Sequence, residues 1–412
     1  MRIYYGWFIV AITVVTFALV IGASMQSYGL FVLPVSEAFG LTRAEMNTGA
    51  ILLNLGMAVV SPFLGRMIDR FPARPIMMIS GLVFGGSLAI LGLSTSPLLS
   101  AVVIALPLGA AVVGCGTLTS PALVSRWFTV HRGRALAIST IGISIGPVVV
   151  TPLVGAMIEA MGWRQTLVVL GVASGLLIAG MAVLVRNLPG PGDKEPGAAH
   201  ASTMQTEGEG PAGAVLTIGQ LLRQPKFWTI AIGCALVFAI LTTDIVSLVP
   251  LAQGEGFSTT QAASLMSAYG ICAVIGALIF AWVGDRFDQV IIFAAMAAII
   301  GTANAGLLVV HGYVPILACA GLIGLTGGMT SPGFMALIAE YFGTASFGIA
   351  IGTASFMSTF VSAIAVRFGG EVFDRTGGYD LMLLSFFFIG LVAAALLLAT
   401  RFVARPREAS LS

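Results

Sequence analysis

Gly65–Pro75 reads GRMIDRFPARP and Gly284–Gln289 reads GDRFDQ. Each is a tight cluster of glycine, aspartate and arginine set between two long apolar runs: 45–66 and 75–95 around the first, 259–283 and 289–309 around the second. Charge this concentrated between runs this apolar marks a short loop at a membrane surface, and the same arrangement written twice suggests an internal repeat.

Working outward from these loops, the rest of the chain has the same texture. Its 412 residues are 58% hydrophobic and only 9% charged, a composition that excludes an ordinary water-soluble globule. Runs of about 20 apolar residues, long enough to cross a hydrocarbon core of roughly 30 Å as helices, follow one another almost without interruption. Twelve are predicted: 5–35, 45–66, 75–95, 97–126, 133–160, 164–186, 227–252, 259–283, 289–309, 313–341, 346–372 and 379–402, numbered here helices 1 to 12. Ala23-Ser24-Met25 resembles the end of a secretory signal, but eleven further runs follow it. Cys115, Cys234, Cys272 and Cys319 fall inside apolar runs without metal or redox spacing and read as small packing residues.

Cationic residues set the orientation, since Lys and Arg accumulate on the cytoplasmic side. With both termini inside, Arg66, Arg70, Arg74, Arg126, Arg186, Lys194, Arg223, Arg286 and Arg401 are cytoplasmic, while Arg43, Arg164 and Arg375 face outside. The net charge of +2 is thus a topology signal and gives no support to a nucleic-acid partner. Asn187–Gly213, rich in Pro, Gly and charge, reads as a cytoplasmic linker. The expected organisation is an all-α membrane protein: a six-helix bundle over 1–186, a linker over 187–218 and a second six-helix bundle over 219–412.

The halves echo each other again in helices 4 and 10. Leu118–Phe128 (LTSPALVSRWF) and Met329–Gly343 (MTSPGFMALIAEYFG) share Thr-Ser-Pro followed by an aromatic-Phe pair. Proline removes a backbone donor, and a neighbouring hydroxyl can serve the freed carbonyl, so a symmetric pair of flexion points is expected here, or else an inherited duplication without a moving role.

Gly65, Asp69, Arg70 and Arg74 match the signature that the major facilitator superfamily carries after its second helix, and the chain resembles that superfamily over nearly its whole length. YYGWFIVAI, SYGLFVLPVSEAFGLTRAEM, RWFTVHRGRALAIS and GGEVFDRTGGYD are similar to its monocarboxylate-porter and oxalate/formate-antiporter branch. The resemblance implies a carrier whose two bundles alternately expose a site near the bilayer midplane. Gly65, Asp69, Arg70 and Arg74, with Asp285 and Arg286 in the second half, would then act as a cytoplasmic latch or as plain topology anchors, and Arg126 as an anchor or gate. The resemblance also points to a monomer in the cytoplasmic membrane with no cofactor and no metal.

Candidate site residues are those the bilayer penalises. Glu37, Glu159 and Glu371 lie near outer helix ends, which leaves Asp244 in helix 7 and Arg367 in the outer half of helix 11. A guanidinium can hold a carboxylate through two parallel hydrogen bonds. Burial of Asp244 disfavours its charged form and suits a proton carrier, whereas a nearby Arg367 would favour that form; a static ion pair is the alternative. Gln26, Tyr28 and Asn54 could donate to a substrate or serve as interhelical glue. Tyr269, Phe356 and Phe360 are candidate apolar walls, and Thr119 and Thr330 candidate cavity hydroxyls.

One departure from the branch bears on substrate. Monocarboxylate porters place a substrate-binding Arg in helix 8 about one turn before a glycine like Gly284; here Phe280 stands there, with Gly276 a turn earlier. The resemblance therefore shifts that duty to Arg367, since oxalate/formate carriers use a cation in helix 11. Two functions stay open: a proton-coupled secondary carrier for a small organic anion, a monocarboxylate first, and an exporter of amphipathic or drug-like compounds. Enzyme chemistry is unsupported, because His131, His200 and His311 do not pair with Ser, Cys or a carboxylate at usable spacing.

Overall fold

The computed structural model describes residues 4–128, 132–189, 217–284 and 286–402. Asp285, His131 and His200 lie outside the described residues, as does most of the expected linker, and Asp69 is placed in helix 2 with its side chain outside them. The described residues hold helices and no strand. Backbone groups in hydrocarbon must find partners within their own segment, and a helix does this without help from neighbours.

Ten of these helices are long and apolar enough to cross a membrane. One of them, Arg134–Leu184, spans 51 residues and holds two crossings, because Gly162 (φ 79°) turns the chain between helices 5 and 6. Helix 2, Arg43–Arg70, is the twelfth; Arg43 and Glu45 at one end and Arg66, Asp69 and Arg70 at the other dilute its apolar content. It starts on a capping box in which Thr42 Oγ1 accepts from Glu45 N–H and the Glu45 carboxylate accepts from Thr42 N–H. Helices 10 and 11 run together as Tyr313–Thr376 and count as two spans, Tyr313–Phe342 and Ile349–Thr376.

The chain divides into two compact units, Met1–Glu209 with Ile245–Gly270, and Gly210–Asp244 with Ile271–Ser412. The division cuts through helix 7 (Pro225–Gly254) and helix 8 (Thr259–Val283). In the first unit, helix 1 lies along helix 5: Ser139 Oγ donates to Thr13 Oγ1 (2.8 Å), Gly22 meets Gly146, and Ser27 Oγ donates to Thr151 Oγ1 (3.1 Å). The C-terminal part of helix 7 and the first turn of helix 8 pack on this pair. A Cβ on Gly29 would stand 3.0 Å from Val246 O, and Glu159 at the end of helix 5 accepts from Thr260 N–H (2.7 Å) and Thr260 Oγ1 (2.5 Å), capping the first turn of helix 8.

Helices 2 and 4 touch backbone to backbone: a Cβ on Gly56 would overlap the Ala105 carbonyl, and one on Gly109 would lie 3.1 Å from Met57 N. The second unit repeats this crossing, with Gly276 of helix 8 against the Leu325 carbonyl of helix 10 and Gly328 against the Ala273 carbonyl. Likewise Gly85 meets Gly171 and Gly175 where helix 3 meets helix 6, and Gly301 meets Gly390 where helix 9 (Gln289–Val309) meets helix 12 (Asp380–Ala399).

These crossings give a structural register between the halves, and the Thr-Ser-Pro repeat is not in it. Gly56 and Gly276 are 220 residues apart and Gly65 and Gly284 are 219, whereas Thr119 and Thr330 are 211 apart. The tripeptides therefore sit more than two helical turns out of step. In this register Pro332 corresponds to Val113, the first residue of a wide π turn in helix 4, whereas helix 10 stays α-helical there.

Valine at Gly56 or Gly276 places atoms where a neighbouring carbonyl lies, and each substitution is expected to cost about 1–3 kcal/mol. Thermal unfolding of the purified variants measures this. Gly180→Ala, with nothing within 4 Å of the added carbon, is the control and should unfold like the parent.

Candidate functional site

At the end of the first unit where helix 1 begins and helix 4 ends, aromatic side chains knit three helices together. Tyr4 Oη donates to Trp127 O (2.5 Å), Trp127 Nε1 to Arg186 O (2.8 Å) and Tyr5 Oη to Leu184 O (2.6 Å). Trp7 and Phe128 pack edge to face at 5.0 Å. The second unit has a smaller counterpart, Phe227 against Phe342 at 5.8 Å, with Lys226 over the Tyr341 ring. The aromatic-Phe pairs at the ends of helices 4 and 10 are thus anchors for the start of helices 1 and 7.

The charged loop of the first half is reached from helix 4. Arg126 donates through Nη2 to Ile68 O in the last turn of helix 2, where the helix dipole favours a cation. Arg74 N–H donates to Asn187 Oδ1 (3.0 Å), and a Cβ added at Gly65 would meet no neighbouring helix within 4 Å among the described residues. Arg70 is exposed, and Arg286 stacks over the Trp282 ring at 4.3 Å.

Four π turns interrupt the helices of the first unit: Gly22–Gln26, Ile104–Leu108, Val113–Thr117 and Gly146–Val150. Two contain a proline, Pro107 and Pro147. The third precedes Pro121 and is held by hydroxyls reaching five residues back: Thr119 Oγ1 donates to Gly114 O (2.5 Å) and Ser120 Oγ to Cys115 O (3.1 Å). In helix 10 Thr330 Oγ1 donates to Thr326 O (2.7 Å) in an α-helical frame. Both threonine hydroxyls give their proton to their own helix. π turns are uncommon and concentrate at working parts of proteins.

Among the other sequence candidates, Tyr28 donates to Met46 O and so ties helix 1 to helix 2, while Asn54 Nδ2 donates to Ala50 O (2.9 Å). Gln26 is buried with Oε1 lacking a partner, and Tyr269 is buried. Tyr28 also lines a cavity of about 90 Å³ inside the first unit, with Phe31, Phe39, Leu53, Ile104 and Trp163. At its edge Arg164 lies 4.3 Å over Trp163 and donates to Ser94 O (2.6 Å).

In the second unit Phe356, Phe360, Ile364 and Arg367 recur at helical spacing on one exposed face of helix 11. Arg367 Nη2 pairs with Glu371 Oε1 one turn on (2.8 Å), and Arg375 reaches the other oxygen at 3.4 Å. Asp244 is buried elsewhere in the unit and accepts from Asn304 Nδ2 of helix 9 (3.1 Å). Asp244 and Arg367 are not a pair: each has a different partner. Sequence reasoning passed over Asn304, although an Asn in the otherwise apolar run GTANAG of helix 9 was a usable signal.

Twelve crossings in two related halves, with a Gly-Asp-Arg loop after the second, define a membrane transporter. The model of the Major Facilitator Superfamily matches residues 12–365 and 245–412, and the chain belongs to that family. It is 26% identical over 396 residues to the uncharacterized MFS-type transporter YcxA of Bacillus subtilis, covering 94% of this chain and 93% of the relative. It is 24% identical over 382 residues to monocarboxylate transporter 13 of Rattus norvegicus, covering 91% and 84%. Among solved structures it resembles an inward-facing, unoccupied bacterial homologue of the human lysosomal transporter Spinster, with TM-score 0.74, 14% identity and 98% of each chain covered.

Removing the Tyr28 hydroxyl abolishes one buried hydrogen bond between helices 1 and 2. Tyr28→Phe is expected to lower stability by about 1 kcal/mol, read as an earlier thermal unfolding transition in detergent.

Proposed function

We propose that this transporter moves a small organic anion, a monocarboxylate first, across the cytoplasmic membrane by alternating access, and that transport is coupled to a proton. The exposed face of helix 11 carries this reading. Arg367 offers a carboxylate two parallel N–H donors, and Phe356 and Phe360, two to three turns away on the same face, suit the apolar remainder of such an anion. Glu371 holds the guanidinium meanwhile. An exposed pair at this spacing is worth only about 0.3–0.5 kcal/mol, so a substrate carboxylate displaces it at little cost. The kinship with a monocarboxylate transporter agrees with an anionic substrate.

In this reading Asp244 is the proton site, and Gln26 of helix 1 is a donor to the substrate through its amide N–H. Asn54, Tyr269, Thr119 and Thr330 shape the pathway. Gly65, Asp69, Arg70 and Arg74, with Asp285 and Arg286, form the cytoplasmic latch, and Arg126 steadies it through Ile68 O. Both termini are cytoplasmic, the bundles are 1–186 and 219–412, and the transporter works as a monomer.

Arg367→Ala should cut uptake of a short monocarboxylate into proteoliposomes roughly ten- to hundredfold, the loss of about 1.5–3 kcal/mol of charge-assisted bonding. Glu371→Gln should lower KM by freeing the guanidinium. Undiminished transport by Arg367→Ala would favour the exporter instead. Separately, Asp244→Asn should make uptake insensitive to an imposed pH gradient, and a gradient response like the parent's would remove Asp244 from coupling.

A further inference from the structure

We infer that Asp244 and Asn304 together form a two-point proton-binding site, in which the protonated Asp244 carboxyl donates its O–H to the Asn304 amide oxygen while the amide N–H donates back to the carboxyl. For its part in transport the inference rests on the coupling role proposed for Asp244; the pairing itself stands on the geometry of helices 7 and 9.

Asn304 is fully buried and Asp244 is 4% exposed. Asn304 Nδ2 uses both of its hydrogens, one toward Asp244 Oδ2 (3.1 Å) and one toward Ile300 O (3.0 Å). Its Oδ1 is buried and has no donor. A buried amide oxygen left without a donor costs about 1–3 kcal/mol. An ionised carboxylate only accepts, so it cannot serve that oxygen and sets like partial charges side by side. A carboxylic acid carries the missing donor. One proton bound at the free carboxyl oxygen of Asp244 supplies Oδ1 and completes a ring of two complementary bonds. When the proton returns to water one bond is lost and the amide oxygen is orphaned again.

Among the described residues no cation is bonded to the Asp244 carboxyl. Helix 9 contributes Asn304 and has no charged residue between Gln289 and Val309. Helix 12 packs on helix 7 at Gly233 through Leu397, and its acidic residue is Asp380 in the first turn. Helix 10 packs through Phe334 on Phe238 and has Glu340 near its end. Helix 11 approaches at Gly369 against Thr243, and its Arg367 and Arg375 are bonded to Glu371. Thr243 Oγ1 donates to Ala239 O. A lone charge in such surroundings costs several kcal/mol, which a single proton removes. Asn304 is therefore a positioning residue that senses whether Asp244 holds its proton.

Infrared difference spectroscopy of the reconstituted full chain, titrated with pH, tests this directly. A protonated carboxyl C=O band present in the parent at neutral pH and absent in Asp244→Asn is expected, and in Asn304→Leu it should move to higher wavenumber as its hydrogen bonds are lost. Absence of any such band in the parent, or an unchanged band in Asn304→Leu, overturns the pair. Asn304→Ala supplies the same comparison should leucine not be accommodated. The spectra report on the pair even if Asp244→Asn keeps its gradient response, so failure of the pair and failure of the coupling role are read separately.

Discussion

Where helix 2 lies on helix 4, and helix 8 on helix 10, no side chain separates the two backbones at Gly56 and Gly276. In lipid there is no hydrophobic force to draw helices together, so contact has to come from close packing, and only a residue without a Cβ lets a carbonyl approach so nearly. The pairing of helices 3 with 6 and 9 with 12 through Gly85, Gly171, Gly301 and Gly390 follows the same rule. Once these crossings are fixed, the orientation of helices 4 and 10 follows, and with it the placement of Arg126 on the end of helix 2 and of the aromatic anchors at the C-terminal ends of helices 4 and 10.

The halves share this frame and differ in how their helices are wound. The first unit has π turns in helices 1, 4 and 5, with the turns of helices 1 and 5 packed on each other at Gly22 and Gly146. The described residues of the second unit are α-helical throughout helices 7 to 12, and their polar interest lies in side chains: the Asp244–Asn304 contact and the Arg367–Glu371 pair. A wide turn changes the direction of a helix and presents backbone carbonyls that ordinary helix geometry hides. The first half thus carries its irregularity in the main chain and the second half carries it in ionisable groups.

Much of the frame could be read from the residues. Apolar run length gave twelve crossings, and helix 2 was visible despite its charged ends because its centre is apolar. The doubled Gly-Asp-Arg loops suggested two halves, since loops at a membrane surface keep their charge. The Thr-Ser-Pro words misled about register: similarity over three residues says nothing about which turn of a helix they occupy, and the glycine crossings, invisible one residue at a time, set the correspondence. At the site, the rule that buried charge is informative found Asp244 and Arg367 and then suggested pairing them by opposite sign. Partner choice depends on which face each helix presents, and that is fixed by packing, which gave Asp244 an amide and left Arg367 with the carboxylate one turn along its own helix.

Helix 2 also raises a question of timing. It carries Asn47, Asn54 and charges at both ends, and it is the crossing with the weakest claim on the bilayer by composition. The surface that receives Gly56 includes Ala105, which the ribosome supplies only after helix 3 and the start of helix 4 have been made, an interval of seconds at ordinary elongation rates. Through that interval the least apolar helix waits beside the insertion machinery without its partner. Biogenesis of this transporter is for that reason most exposed to error early, between the synthesis of the second and fourth helices.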